Sequence, residues 1–167
     1  MTKSDLKDIR QTYNDILAND NESMRLALSR LNGCMMRADD ADAILDGTIG
    51  LELLLGDSDP QATSFKLRMR AAALTHLDAG GLVDPQEMIG KVKRLYEARS
   101  KIVHGHTKKK SKNVLQLLNN EHKNERRLAY DLLRYVIKIL LKHPHYINPI
   151  KLDSDLLSGD LTKHRKL

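Results

Sequence analysis

Apolar residues along the chain recur at three- and four-residue spacing, in runs separated by turn-forming residues, which is the signature of amphipathic helices. The first run predicts a helix over about Ser4 to Leu17, with Ser4 as its N-cap, closing on Asn19, Asp20 and Asn21. A second covers about Glu22 to Arg37, with Gly33 interrupting its last turn. A third spans about Asp39 to Leu55, with acidic residues in its first turn, where they suit the helix dipole, and Gly56 at its end. Its Ile44, Leu45, Thr48, Leu51 and Leu55 form one stripe, and Glu52 lies at the edge of that stripe. A fourth is expected from about Gln61 to Leu77, with Pro60 near its start. After the break at 79–81, Asp84, Pro85 and Glu87 supply a cap, a first-turn proline and a first-turn acid, opening a fifth helix to about Val103. A polar loop from Gly105 to about Lys112 follows, then a short helical piece at 114–118 and a sixth helix over about Lys123 to Lys142. That helix carries Leu128, Leu132, Tyr135, Val136, Ile139 and Leu140 on one broad face. From His143 to Leu167 the sequence reads as an irregular tail with at most one helical turn around Asp153 to Leu157. With no strand pattern, the expectation is an all-α, up-and-down bundle of about five to six helices forming one domain over residues 1–167.

Composition sharpens this picture. At 41% apolar and only 4% aromatic residues, with no Trp, the core must be built from Leu, Ile, Ala and Met. No apolar run approaches the roughly 18–20 residues that span a bilayer, and the polar N-terminus is unlike a secretory signal, so a cytoplasmic protein without membrane contact is expected. The one cysteine, Cys34, excludes an internal disulfide framework and a thiolate cluster for zinc, and reads as a small buried residue. The net charge of +6 favours polyanionic partners, and four lysines lie between His104 and Lys112, directly behind the fifth helix.

On that helix, at about 100° per residue, Met88, Val92, Leu95, Tyr96, Ile102 and Val103 share one apolar arc, while Lys91, Lys93, Arg94, Glu97 and Lys101 lie outside it. Arg99 alone breaks the sorting, near the middle of the arc. An unpaired buried guanidinium costs several kcal/mol. Arg99 therefore either pairs with a carboxylate, Glu52 being a candidate, or lines a cleft or interface that an anion reaches. His104 follows five residues later, about 140° away on a continuous helix, so the two share a site only if the helix ends there, as Gly105 favours, or if the histidine faces a second copy. An arginine to hold a phosphate and a histidine to move protons are what metal-free phosphodiester cleavage requires.

The stretch from Arg99 to His104, RSKIVH, resembles the signature of HEPN domains: an arginine, four to six residues, then a histidine. With LEL at 51–53, FKLRMRAAAL at 65–74 and KVKRLYEARSKIVHG at 91–105, the chain is similar over about 40–142 to the Apea-like HEPN branch. The resemblance implies a helical homodimer whose motifs meet at a shared cleft. It also implies a metal-independent, cofactor-free endoribonuclease in which the ribose 2′-hydroxyl attacks the neighbouring phosphate. On this correspondence Arg99 stabilises the phosphorane, His104 acts as general acid or base, and Ser100 positions the phosphate or the arginine. A bacterial toxin or antiphage defence setting, with an antitoxin or larger defence protein as partner, follows from the resemblance alone.

Around this centre, Glu52 and Arg70 match polar positions of the family and either pair structurally or brace Arg99, and Tyr96 either packs in the core or touches a base. His106, Lys108, Lys109 and Lys110 are candidate contacts for RNA phosphates. His143 and His145 resemble a metal site superficially but lack a nearby third ligand, so no metal is expected. Two alternatives remain: a non-catalytic HEPN module binding RNA, nucleotide or a protein, and a helical adaptor whose Arg99 is salt-bridged within its own chain.

Overall fold

A computed structural model of the protein describes residues 2–19, 21–59, 61–78, 80–81, 83–104 and 112–161, with the backbone alone for 112–122. Among the described residues seven α-helices follow in order: α1 (Lys3–Ala18), α2 (Glu22–Met36), α3 (Asp40–Leu55), α4 (Thr63–Leu74), α5 (Pro85–Val103), α6 (Lys112–Lys142) and α7 (Pro149–Ser158). Short 3-10 turns extend α4 through Leu77 and join α6 to α7, and no strand occurs among the described residues. The all-α expectation holds, with one helix more than the apolar pattern predicts.

The helix starts follow capping chemistry. Asn21, Asp39 and Asp84 each accept a backbone N–H from the first turn of α2, α3 and α5. For α1 the cap is Thr2 rather than Ser4: its hydroxyl accepts from Asp5 N, and the Asp5 carboxylate accepts from Thr2 N, so two orphan donors are satisfied reciprocally. The fourth helix begins at Thr63, two residues later than expected, and Pro60 lies outside the described residues. The sixth helix is continuous from Lys112, replacing the short piece and later start predicted; residues 112–142 contain neither Gly nor Pro to break it. The tail likewise forms a helix where irregular chain is expected. Asn148 caps α7 through Ile150 N, Pro149 sits in its first turn, and Gly159 ends it in the left-handed region at φ 74°.

Helix α3 is the centre of the bundle, packed chiefly on α2 and α6 and also on α5. Close approach requires glycine on it. A Cβ on Gly47 would lie 2.7 Å from Ala129 Cβ and 3.0 Å from Cys34 Sγ, and one on Gly50 would collide with Leu133. Cys34 is buried, as expected, and its thiol donates to Ala43 O at 2.9 Å. Burial, reinforced by the Asp46 charge, pushes this thiol up to about 11, so it stays protonated.

The same packing explains Gly33. It does not interrupt α2; it makes room for Asp46 of α3, whose carboxylate would meet any Cβ there. Asp46 is 4% exposed and accepts from Arg30 Nη1 at 2.7 Å and Arg37 Nε at 2.9 Å. Burial opposes its ionisation, but Arg37 and Arg30 outweigh that and hold its carboxyl below the ordinary range. One apolar cluster runs from Met24 to Leu161, and α1 adds no buried residue to it. No helix among the described residues is long and apolar enough to cross a membrane.

Gly47→Ala should lower stability by about 1–3 kcal/mol, because the added methyl meets two neighbours across tight helix contacts. Gly90→Ala, where a Cβ meets nothing within 4 Å on α5, should raise it by about 0.5–1 kcal/mol. Urea unfolding of both variants beside the wild type reads the opposite signs.

Candidate functional site

Helix α5 buries Met88, Val92, Leu95 and Ala98, with Tyr96 and Ile102 half-buried at its edges. Val103, assigned to the core-facing arc from sequence, is 55% exposed. Burial along the arc is uneven, since Ile102 beside it still packs against the core. Arg99 is also partly solvated: its side chain is 33% exposed despite its central place on the wheel.

Arg99 does not stand alone. Its Nε lies 3.6 Å from Glu52 Oε1 on α3, and its guanidinium carbon sits 5.4 Å from the centroid of the Tyr96 ring, within cation–π range. The Tyr96 hydroxyl donates to the same Glu52 oxygen at 2.5 Å. Tyr96 and Arg99 are three residues apart, so α5 itself puts ring and cation on one face. Burial, then the hydrogen bond to Glu52 and its charge, pushes the Tyr96 phenol up to about 12. Tyr96 thus remains a donor to Glu52 across the physiological range. The Nε of Arg99 is buried without a hydrogen bond at this distance, so Glu52 holds it by charge. The exposed third of the side chain lies on its other atoms.

At the end of α5, His104 is the C-cap, with φ −90° and ψ 4°, and its backbone N–H donates to Ser100 O at 3.0 Å. The α-helix thus ends at Val103, with His104 still bonded into its last turn. Both His104 and Ser100 are exposed. Together, Glu52, Tyr96 and Arg99 make one contact group, with Ser100 and His104 on the following turn. His106, Lys108, Lys109 and Lys110 lie outside the described residues.

Arg70 belongs elsewhere, and the reading that joins it to Glu52 or Arg99 is corrected. It is 3% exposed on α4, donating through Nε and Nη2 to Asp153 of α7 at 2.9 and 2.6 Å. Its Nη1 donates to Leu55 O at 2.7 Å and its Nη2 to Asp57 at 2.7 Å. A buried fork with three acceptors is a clasp between the end of α3, α4 and α7, and it leaves nothing to offer a ligand.

Elsewhere, a hollow of about 400 Å³ between α2 and α6 is lined by Cys34, Met35, Lys123, Arg126, Arg127 and Tyr130. Periodicity does not reveal it. Arg126 there is bonded to Asp40 at 3.0 Å and to Met35 O at 2.9 Å. Among the described residues no three His, Cys, Asp or Glu side chains are grouped to hold a metal ion, and His145 instead packs edge-on against Tyr146. Compared with protein-family models, with curated proteins and with solved structures, the chain matches none.

Lys66, then Arg70, holds the Asp57 carboxyl down at about 2. With an ordinary Asp near 3.9, its contribution to stability is fully present above about pH 4 and is lost as pH falls through about 2. Asp57→Asn should therefore melt below the wild type at neutral pH, and the gap between their melting temperatures should close between about pH 4 and pH 2. Arg70→Met should lower unfolding free energy by about 3 kcal/mol in urea, because it takes the donor from the Leu55 carbonyl and from Asp153 and undoes the clasp on α7, while Asp57 keeps Lys66.

Proposed function

We propose that the protein is a metal-independent endoribonuclease of the HEPN type, with Arg99 and His104 as its catalytic residues. The observation that carries the reading is the placement of Arg99. Its inner edge is held by Glu52 and stacked on Tyr96, while the rest of its guanidinium reaches the surface on the turn before a histidine that caps the helix. A guanidinium fixed on one side and open on the other is preorganised to receive a phosphate.

In the reaction, the 2′-hydroxyl oxygen bonds to the adjacent phosphorus as its proton passes to a base, and the bond from phosphorus to the 5′-oxygen breaks as that oxygen gains a proton. The products are a 2′,3′-cyclic phosphate and a 5′-hydroxyl. Arg99 meets the charge that grows on the phosphorane oxygens, and His104 carries one of the two protons. In this reading Ser100, exposed on the same helix, hydrogen-bonds a phosphate oxygen or the arginine. A second copy of the chain supplies the other proton carrier in this reading. The net charge of +6 suits an RNA substrate.

A second reading has its own observation. Glu52 and the Tyr96 ring already neutralise Arg99 within the chain, as a helical adaptor needs. The two part experimentally. Incubated with mixed cellular RNA in EDTA, the wild type should yield cyclic phosphate ends, and His104→Ala and Arg99→Ala should each lower the rate by about 10²-fold or more while remaining folded. Cleavage that EDTA abolishes, or that His104→Ala leaves intact, overturns the mechanism. No cleavage, with a stability loss in Arg99→Ala, supports the adaptor.

A further inference from the structure

Helix α4 shows solvent a face that its clasp on α3 and α7 does not use. Phe65, the chain's one phenylalanine, is 56% exposed, and Met69, one turn on, is 37% exposed. Arg68 lies beside them, and at 100° per residue the three share an arc of about 100°. Arg68 is half-buried, and among the described residues its guanidinium makes one hydrogen bond, from Nε to the Ser64 carbonyl of its own helix at 3.0 Å, and no ion pair. Its neighbours differ in this: Lys66 and Arg70 are both paired with aspartates. The outer nitrogens of Arg68 can only donate, so the group they suit is an anion from outside the described fold.

The packing of α5 puts this face at the Arg99 end of the bundle. On one flank of α5, Arg94 meets Glu125 of α6, and on its inner side Tyr96 and Arg99 meet Glu52 of α3. Helix α4, which packs on α5 more extensively than either, therefore takes the other flank, and helical spacing puts Ser100 on that flank. Helix α4 leads into α5 through the turn at Thr75–Leu77, which also touches α5, so the two helices run antiparallel. The first turns of α4, with Phe65 and Arg68, thus lie toward the last turns of α5, with Arg99, Ser100 and His104.

An aromatic ring beside an unpaired guanidinium has the two halves of nucleotide recognition, a surface for the base and a fork for the phosphate. An apolar partner would use the ring and the thioether but leave the guanidinium without an acceptor. We infer that Phe65, Arg68 and Met69 form a subsite for a nucleotide flanking the scissile phosphate, with its unpaired base against Phe65 and Met69 and its phosphate on Arg68. The inference rests on the ribonuclease reading, and its test reads binding, so that the two fail separately.

The probe is a short, labelled single strand of 2′-O-methyl RNA, which lacks the attacking hydroxyl, followed by fluorescence anisotropy. Phe65→Ala should raise the dissociation constant about tenfold, Phe65→Leu should raise it nearly as much, and Phe65→Trp should restore it, because stacking needs a ring and not only apolar volume. Arg68→Gln should weaken binding and lower the slope of log affinity against log salt by about 0.7, the loss of one single-strand phosphate contact. A duplex of the same sequence should not respond to Phe65→Ala, its bases being already stacked. Wild-type binding that Phe65→Ala and Arg68→Gln leave unchanged overturns the subsite alone, even where ordinary RNA is cleaved. A wild type that does not bind the strand also overturns the subsite. A change in sedimentation of Phe65→Ala without a change in RNA affinity overturns it in favour of a second copy. Binding that responds as expected, with no cleavage of ordinary RNA, keeps the subsite and overturns the catalytic reading.

Discussion

The bundle depends on how closely its neighbours approach α3. Gly47 and Gly50 leave no room for a side chain beside Ala129, Cys34 and Leu133, and Gly33 leaves none beside Asp46. Three polar attachments follow from that approach. Arg30 and Arg37 clasp Asp46 on α3, Tyr96 and Arg99 meet Glu52, and Arg70 takes the Leu55 carbonyl at the helix end. Widening the α3 contacts by a methyl group would loosen all three, because ion pairs and hydrogen bonds of this kind depend steeply on distance.

These attachments divide the arginines of the chain by burial. Arg70 is enclosed and has three acceptors, so its contribution is to hold α4 and α7 together at the end of α3. Arg99 has one carboxylate at 3.6 Å and a ring, and a third of its side chain meets solvent. An exposed pair of that length contributes little stability, roughly 0–1 kcal/mol. Its geometry orients the cation more than it stabilises the fold, whereas Arg70 is structural.

The helices are legible in the sequence because burial imposes a period near 3.6 on apolar residues, and α2, α3 and α5 lie within a residue or two of where that period puts them. Helix α7 escaped because its Asn148–Pro149 start follows a stretch of His, Pro and Tyr that masks the cap, although Asn before Pro is itself a start signal. The continuity of α6 was hidden by polar residues at 119–124, which are compatible with helix but carry no apolar stripe. At the candidate site, the anomaly of Arg99 and the edge position of Glu52 are both readable from the helical wheel. The partners of Arg70 are not, since Asp57 and Asp153 lie 13 and 83 residues away and ion pairing leaves no periodic trace. Depth is the other illegible quantity: the wheel gives the direction of Arg99 and Val103 but not how far each is exposed.

The central claim is that Arg99 and His104 receive one phosphate between them. Its most direct test is an NMR titration of the side-chain Nε–H of Arg99 and the ring of His104 with a short RNA made uncleavable by a single 2′-deoxy substitution. The account predicts that both signals shift along one saturation curve and that Arg99→Ala removes the response of His104. An Arg99 signal that stays fixed while RNA binds, or two signals that saturate at different RNA concentrations, would contradict it.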